Sequence, residues 1–397
     1  MYCVKPILKD LYYIGGNDRR LSLFESAYPV PDGVSYNAYF LDDEKTAVLD
    51  TVDRSVADLF FENIEHLLHG RALDYVIVNH MEPDHAATLG ALVEKYPQVQ
   101  IVCNAKTVSL IKQFFSFDID ARAVLKKEGE QLSLGRRTLT FYAAPMVHWP
   151  EVTVTYDETD GVLFSADAFG TFGALDGTIF ADEMDFGAAE FDEMRRYYTN
   201  IVGKYGAQTA ALLKKASGLD IRMICPLHGP IWRQDFDRLF DKYQHWSTYT
   251  PEEQGVLLIG ASIYGGTQNA VEILAAKLAA RGIRTKIYDA TVTHPSYLLS
   301  DAFRFSHLVL AASTYNNGLF TPMETFLADL KTHALKNRTV GIVQNGSWAP
   351  QSGKLMREAA EALQMTVLPE TVSLRSTVKD CNLAELDALC DALAASL

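Results

Sequence analysis

The chain has 397 residues, 48% of them hydrophobic, and 36 basic against 50 acidic side chains, a net charge of −14. That is enough apolar material for large cores in two domains, and the acidic balance argues against a nucleic-acid or anionic-membrane surface. The amino-terminal "MYCVKPILKD" has no apolar core of signal-peptide length, and no run approaches a membrane span, so a soluble cytoplasmic protein is expected. Five widely spaced cysteines (Cys3, Cys103, Cys225, Cys381 and Cys390) form no Cys-x-x-Cys pair for zinc or iron–sulfur ligation and read as reduced thiols.

In chain order, short apolar or β-branched runs predict strands at Tyr36–Leu41, Thr46–Leu49, Tyr75–Val78, Val99–Cys103, Leu139–Ala143, Val152–Tyr156, Val162–Phe164 and Ile221–Cys225. Apolar positions recurring every three or four residues predict helices at Val56–Leu68, Ala86–Lys95, Glu190–Tyr198 and Ala207–Ala216. Near "HWSTYTPEEQG" (His245–Gly255) polarity rises and the pattern changes, which sets a boundary between residues 1–250 and 251–397. Beyond it strands and helices alternate: Val256–Ile263, Ala270–Ala280, Thr285–Ala290, His307–Ala312, Pro322–Leu330, Val340–Gln344, Gly353–Leu363 and a last helix Leu383–Ala394. Alternation with continuously apolar strands predicts a parallel sheet covered by helices on both faces.

The first half carries a dense polar cluster where an apolar strand ends. "NHMEPDHAATLG", Asn79–Gly90, places His80, Glu82, Asp84 and His85 within six positions, just before a helix whose amino terminus favours carboxylates. Three more predicted strands are followed by a histidine or carboxylate: "PMVHWP" holds His148, "SADAFG" holds Asp167, and "PLHGP" holds His228. Singly, His148 or His228 reads as a hydrogen-bonded core histidine, and Asp167 as a turn residue. Four polar groups packed at one strand exit are harder to explain structurally, because their desolvation would be uncompensated. If the exits share one sheet edge, seven groups converge, more than the four of a tetrahedral zinc site and suited to two metals sharing a carboxylate.

The second half opens with "LLIGASIYGGTQNA", a strand followed by Ser262, Ile263, Tyr264, Gly265, Gly266 and Thr267 and then a helix. Small and hydroxyl residues before a helix amino terminus form an anion cradle. Neither G-x-G-x-x-G nor G-K-[ST] is present, which argues against a nicotinamide or nucleoside-triphosphate loop. Two further strand-exit loops follow: Ser313, Thr314, Tyr315, Asn316, Asn317 and Gly318, then Asn345, Gly346, Ser347 and Trp348. In open α/β sheets ligands gather at such loops, and this set suits a flat ring and a phosphate. This half is similar to flavodoxin, which implies FMN.

"H-x-E-x-D-H" with the isolated histidine, aspartate and histidine, together with "YNAYF", "DAFGTFG" and "LHGPIWR", resembles the flavodiiron proteins over nearly the whole chain. The resemblance implies an α/β protein with an N-terminal metallo-β-lactamase-like αββα sandwich and a C-terminal flavodoxin-like doubly wound parallel sheet. Zinc members of the sandwich superfamily carry histidine where this chain has Glu82, and the added carboxylate favours redox-active iron. By the resemblance one iron takes His80, Glu82 and His148, the other Asp84, His85 and His228, and Asp167 bridges.

The same resemblance implies reduction of dioxygen to water with electrons delivered through FMN, nitric oxide reduction to nitrous oxide being the alternative at the same centre. It further implies a head-to-tail homodimer, or a dimer of such dimers, and an electron donor such as rubredoxin or a reduced deazaflavin coenzyme. A zinc hydrolase fused to a flavodoxin module is the reading that Glu82 opposes. The chain departs from many relatives at Glu25, where some have histidine, and at Ala349-Pro350-Gln351 in the third flavin loop.

Overall fold

The computed structural model describes residues 1–184 and 187–397. The chain divides into two compact units, Met1–Tyr198 with Ala207–Tyr243, and Thr199–Gly206 with Gln244–Leu397.

The first unit is a sandwich of two mixed sheets. One has seven strands in the spatial order Lys5–Leu8, Leu11–Tyr13, Tyr39–Asp42, Thr46–Leu49, Tyr75–Ile77, Gln100–Cys103 and Ala123–Leu125. The other has five, in the order Gln131–Ser133, Thr138–Ala143, Thr153–Asp157, Val162–Phe164 and Met223–Cys225. Alternate residues face inward: Tyr39 and Leu41, Ala47 and Leu49, Tyr75 and Ile77 from one sheet meet Leu139 and Phe141, Val162 and Phe164, Met223 and Cys225 from the other. The two-residue period of the strand therefore writes the core directly into the sequence. Helix Ala57–Leu68 buries Phe60, Ile64, Leu67 and Leu68 and lies against the first sheet.

Strands Thr46–Leu49, Tyr75–Ile77 and Gln100–Cys103 run parallel, as do Val162–Phe164 and Met223–Cys225. Parallel neighbours end at the same side of their sheet. This alignment brings the chain exits after Leu49 and Ile77 together in one sheet, and those after Phe164 and Cys225 together in the other.

The second unit is an open parallel sheet in the order Thr285–Asp289, Glu253–Ala261, Phe305–Tyr315, Thr339–Asn345, Thr366–Leu374, with a short antiparallel strand, Gly318–Leu319, on the third. Numbered along the chain this is 2-1-3-4-5, the flavodoxin order, whose ligand crevice lies where strands 1 and 3 lead away in opposite directions. Helices Gly266–Ala280 and Asp380–Ser396 share a core with Val256, Leu258, Val309, Val343 and Val372. Helices Pro295–Arg304, Thr321–Thr332 and Ser352–Ala362 also pack against the sheet.

Several elements differ from their sequence expectation. The helix predicted over Ala86–Lys95 is two pieces, Pro83–Ala86 and Leu89–Lys95. The His85 carbonyl is taken by the Thr51 amide at 3.0 Å and the Thr51 hydroxyl at 2.7 Å, and the Thr88 hydroxyl donates to the Val52 carbonyl at 2.9 Å, so tertiary bonds replace helical ones. Strand Thr366–Leu374 is absent from the periodicity reading because Pro369 interrupts it. It lies at the sheet edge, and its pairing shifts register opposite Val340–Ile342, where proline is tolerated. Helices Ala105–Phe114, Pro295–Arg304 and Phe236–Ser247 are likewise additional. The first is capped by Asn104, whose side chain accepts the Lys106 and Thr107 amides, and the second by His294, which accepts the Ser296 amide.

Candidate metal centre

Asp50 leaves strand Thr46–Leu49 with φ +55° and is fully buried. Its carboxylate accepts the Asn79 amide at 2.7 Å, the Asn79 side-chain amide at 2.8 Å and the His80 amide at 3.2 Å. Asn79 in turn accepts the Thr155 hydroxyl at 2.7 Å, which ties the turn to the second sheet. His80 is thereby fixed before its ring is considered.

The structure brings together all seven residues singled out in the sequence, as two sets whose donor atoms lie within 4.8 Å of one another: His80, Glu82, His148 and Asp167; then Asp84, His85 and His228. In the first, His80 Nε2 and His148 Nε2 lie 3.3 and 2.9 Å from Glu82 Oε2, and 3.2 and 3.3 Å from Asp167 Oδ2. In the second, His85 Nε2 and His228 Nε2 are 3.0 Å apart, and both face Asp84 Oδ2, at 3.3 and 3.2 Å. Asp167 turns its other oxygen, Oδ1, to His85 Nε2 at 3.3 Å. One carboxylate thus addresses each set with a different oxygen.

Electrostatics shows what this arrangement suits. Burial alone would lower the buried imidazoles, but Asp167, with help from Glu151 and Glu82, holds His80 well above its ordinary value, and Asp167 and Glu82 push His148 up to about 10. Burial likewise would raise the carboxyls, yet the imidazoles hold Asp167 and Glu82 below their usual range. Both oxygens of Asp84 and Oδ1 of Asp167 are buried without a hydrogen-bond partner among the described residues. Orphaned carboxylate oxygens and facing imidazole nitrogens are a donor set that fits cations, and mixed carboxylate and imidazole ligation suits iron.

Phe24, Tyr36 and Tyr197 surround His228 with ring centroids at 5.3, 5.9 and 5.5 Å, and Trp149 stands edge-on to His80 at 5.4 Å. Glu25 follows Phe24 on a hairpin with φ +50°, its residue surface exposed. Loss of hydration around its carboxyl, then the charge of Glu82, pushes it up to about 8. Sequence reasoning missed Asp50 and Glu151. Asp50 had the same signal as the others, an acidic residue directly after an apolar strand, and Glu151 lies three residues past His148. His66, His69, His245, His294, His307 and His333 belong to neither set.

In the second unit a cleft of about 530 Å³ lies at the carboxyl ends of the strands, lined by Ser262, Ile263, Tyr264, Gly266, Ser313, Thr314, Asn316, Asn317 and Asn345–Ala349. Four residues of the expected set do not line it. Gly265 caps helix Gly266–Ala280 with φ +87°, a conformation that favours glycine. Thr267 is buried beneath, 3.0 Å from the Ser313 hydroxyl and 3.1 Å from the Asn345 amide nitrogen. Tyr315 packs on Phe320, and Gly318 pairs with Tyr315 in the small hairpin.

The cleft also takes Ser376 and Thr377 from a fourth strand exit, which the missed strand had hidden. Gly266 passes so close to this loop that a Cβ there would lie 2.0 Å from the Ser376 carbonyl oxygen. Hydroxyls and a helix amino terminus at one end, with the exposed rings of Tyr264 and Trp348 at the rim, fit an aromatic ring carrying a phosphate.

Comparison with known proteins agrees with both halves. A family model described as ODP family beta lactamase matches residues 34–229. A nitric oxide reductase of Moorella thermoacetica is 29% identical over 368 residues, 92% of this chain and 91% of its own. The structure of rubredoxin oxygen:oxidoreductase from Desulfovibrio gigas superposes with a TM-score of 0.93 at 26% identity, covering 99% of this chain and 98% of that one. In fold the chain is similar to the flavodiiron proteins over nearly its whole length. The flavodiiron protein of Giardia intestinalis shows the same fold, with a TM-score of 0.90 at 24% identity over 99% and 96% of the two chains. Flavodiiron architecture thus accounts for the metallo-β-lactamase-type sandwich and the flavodoxin-like sheet in one chain.

Proposed function

We propose that this chain is a flavodiiron protein that reduces dioxygen to water at a pair of irons held in residues 1–250, with electrons delivered through FMN held in residues 251–397. The observation that carries the reading is Asp167, whose two oxygens address the two donor sets separately. His80, Glu82 and His148 would hold one ion, Asp84, His85 and His228 the other, and Asp167 would fix their spacing. The loops Ser262–Thr267, Ser313–Gly318, Asn345–Trp348 and Ser376–Thr377 would hold the flavin.

When bound, a flavin passes electrons one at a time and an iron pair stores two beside a diatomic ligand. The chain's own residues supply the setting. Phe24, Tyr36 and Tyr197 wall His228 with aromatic surface, which limits water on that side. Glu82, Asp84 and His148 retain 13, 12 and 10% side-chain exposure, so the site opens on their side, where a small gas would enter.

Nitric oxide reduction is the second reading, favoured by the relatives named nitric oxide reductase from Moorella thermoacetica and anaerobic nitric oxide reductase flavorubredoxin from Aliivibrio salmonicida. The relative named rubredoxin-oxygen oxidoreductase supports dioxygen and a rubredoxin-type donor. A reduced deazaflavin coenzyme is the other donor in this proposal. The functional unit is a head-to-tail homodimer in the cytoplasm. Five free cysteines fit a reducing compartment, and no helix among the described residues is long and apolar enough to cross a membrane.

Anaerobic purification with iron and flavin quantification, followed by dioxygen and nitric oxide consumption with a reduced donor, tests the reading. Two irons and one flavin per chain with faster dioxygen turnover are expected, and activity should fall on dilution to monomer. Zinc content with thioesterase turnover and no gas consumption would overturn it.

A further inference from the structure

The two donor sets differ in what stands behind their histidines. His80 aims Nδ1 at Glu151 Oε1, 2.9 Å away, and the same oxygen accepts the Met81 amide at 2.9 Å. The Glu151 side chain is fully enclosed, and its other oxygen has no hydrogen-bond partner among the described residues. In the second set His228 donates from Nδ1 to the Ser35 carbonyl at 2.7 Å, a neutral acceptor, and His85 Nδ1 has no partner among the described residues.

A purely structural acceptor for two N–H groups would not need charge. A buried carboxylate with one oxygen unpaired carries a desolvation cost that an amide or carbonyl avoids. What the charge adds is basicity. A carboxylate accepting from one ring nitrogen fixes the tautomer, leaves the other nitrogen bare and strengthens it as a metal donor. The turn that supplies Glu151 also supplies the candidate ligand His148 and the Trp149 ring against His80, so one short loop positions a large share of the first set.

We infer that Glu151 is a positioning residue that makes the metal pair unequal: its carboxylate strengthens His80, so the ion at His80, Glu82 and His148 is bound more tightly than the ion at Asp84, His85 and His228. The inference rests on the two-metal reading above and goes beyond it by ranking the two positions.

The test is Co(II) titration of the metal-free full-length protein, followed by visible absorption. His228→Ala weakens the second set and leaves the first; His148→Ala does the reverse. In the His228→Ala background Glu151→Gln is expected to weaken Co(II) binding about 10- to 100-fold, the range for loss of an outer carboxylate partner. In the His148→Ala background the same change should stay within about threefold. Equal weakening in both backgrounds, or none in the first, overturns the inference. Far-UV circular dichroism and flavin content check folding. If Glu151→Gln disturbs it, Glu151→Asp and Glu151→Asn compare charge at equal length, and equal affinities for that pair would also refute the role. A wild-type protein that binds fewer than two ions sinks the two-metal reading itself, an outcome separable from equal response of two bound ions.

Discussion

At the strand exits of the sandwich the converging side chains are ionisable and almost sealed from water. At the strand exits of the parallel sheet they are neutral and open, with Tyr264 99% and Trp348 84% exposed. On the proposed function, the contrast follows from what each site would receive. A cation is recognised by charge, so the protein must bury carboxylates and imidazoles at a desolvation cost that the ion offsets. A ring with a phosphate is recognised by backbone, hydroxyls and flat surface, none of which needs compensation when the ligand is away. Metal removal should therefore disturb the first unit far more than flavin removal disturbs the second.

The largest expected effect that can break this comparison is Asp167→Asn. It keeps the side-chain shape but removes the charge that addresses both sets. The second ion should be lost and gas consumption should drop by more than about 100-fold, beyond the range for outer partners. Metal analysis and turnover that matched the wild type would show that the site does not depend on this carboxylate.

Next comes the response of the metal-free protein to pH. His148 is held up to about 10 by Asp167 and Glu82 against its burial, well above its ordinary value near 6.5. Its contribution to stability is therefore complete below about pH 6.5 and is lost as pH rises through about 10. His80 and His85 are raised in the same direction. Calorimetry should show the melting temperature of the metal-free first unit falling between pH 7 and 10, by roughly 2–4 °C for each kcal/mol lost. With metal bound the protons are already displaced and the fall should vanish. A metal-free protein whose melting temperature is flat over that window would contradict the electrostatic account.

A smaller effect sharpens the other side of the comparison. Gly266→Ala places a methyl against the Ser376 carbonyl and forces apart two loops of the cleft. An overpacking cost of about 1–3 kcal/mol is expected, with flavin retention falling on the order of tenfold and metal content unchanged. Fluorescence titration with FMN measures it, and wild-type affinity would show that the Ser376 loop takes no part.

The smallest is Trp348→Ala. Because the ring is exposed, stability should change by less than about 0.5 kcal/mol. Loss of ring stacking should weaken FMN by about 0.5–1.5 kcal/mol. A large loss of stability with unchanged FMN affinity would reverse the assignment of this tryptophan from ligand contact to packing.

The legibility of the two sites in the sequence follows the same division. The seven residues that converge in the first unit each carry a short-range signal, an ionisable side chain in the segment that follows a buried strand. Asp50 carries the same signal and Glu151 a fainter one, yet local sequence does not single them out, because their partners, the amides of Asn79, His80 and Met81, come from segments distant in the chain. In the second unit loop composition identified the cleft, yet could not separate Gly266, which lines it, from Gly265, which caps a helix, or from Thr267, which lies beneath.

Residue chemistry and strand period together specified which side chains could hold a cation, which strands of the sandwich core would be buried, and the alternation of strands and helices in the second half. These are local properties, set by polarity and by the alternation of a strand. Tertiary structure alone decided that four exits meet, that Asp167 turns one oxygen to each set, that the helix after His85 breaks to satisfy Thr51 and Thr88, and that a fourth loop lines the cleft of the parallel sheet. Each of those depends on which strands lie side by side, and sheet pairing is a relation between segments distant in the chain.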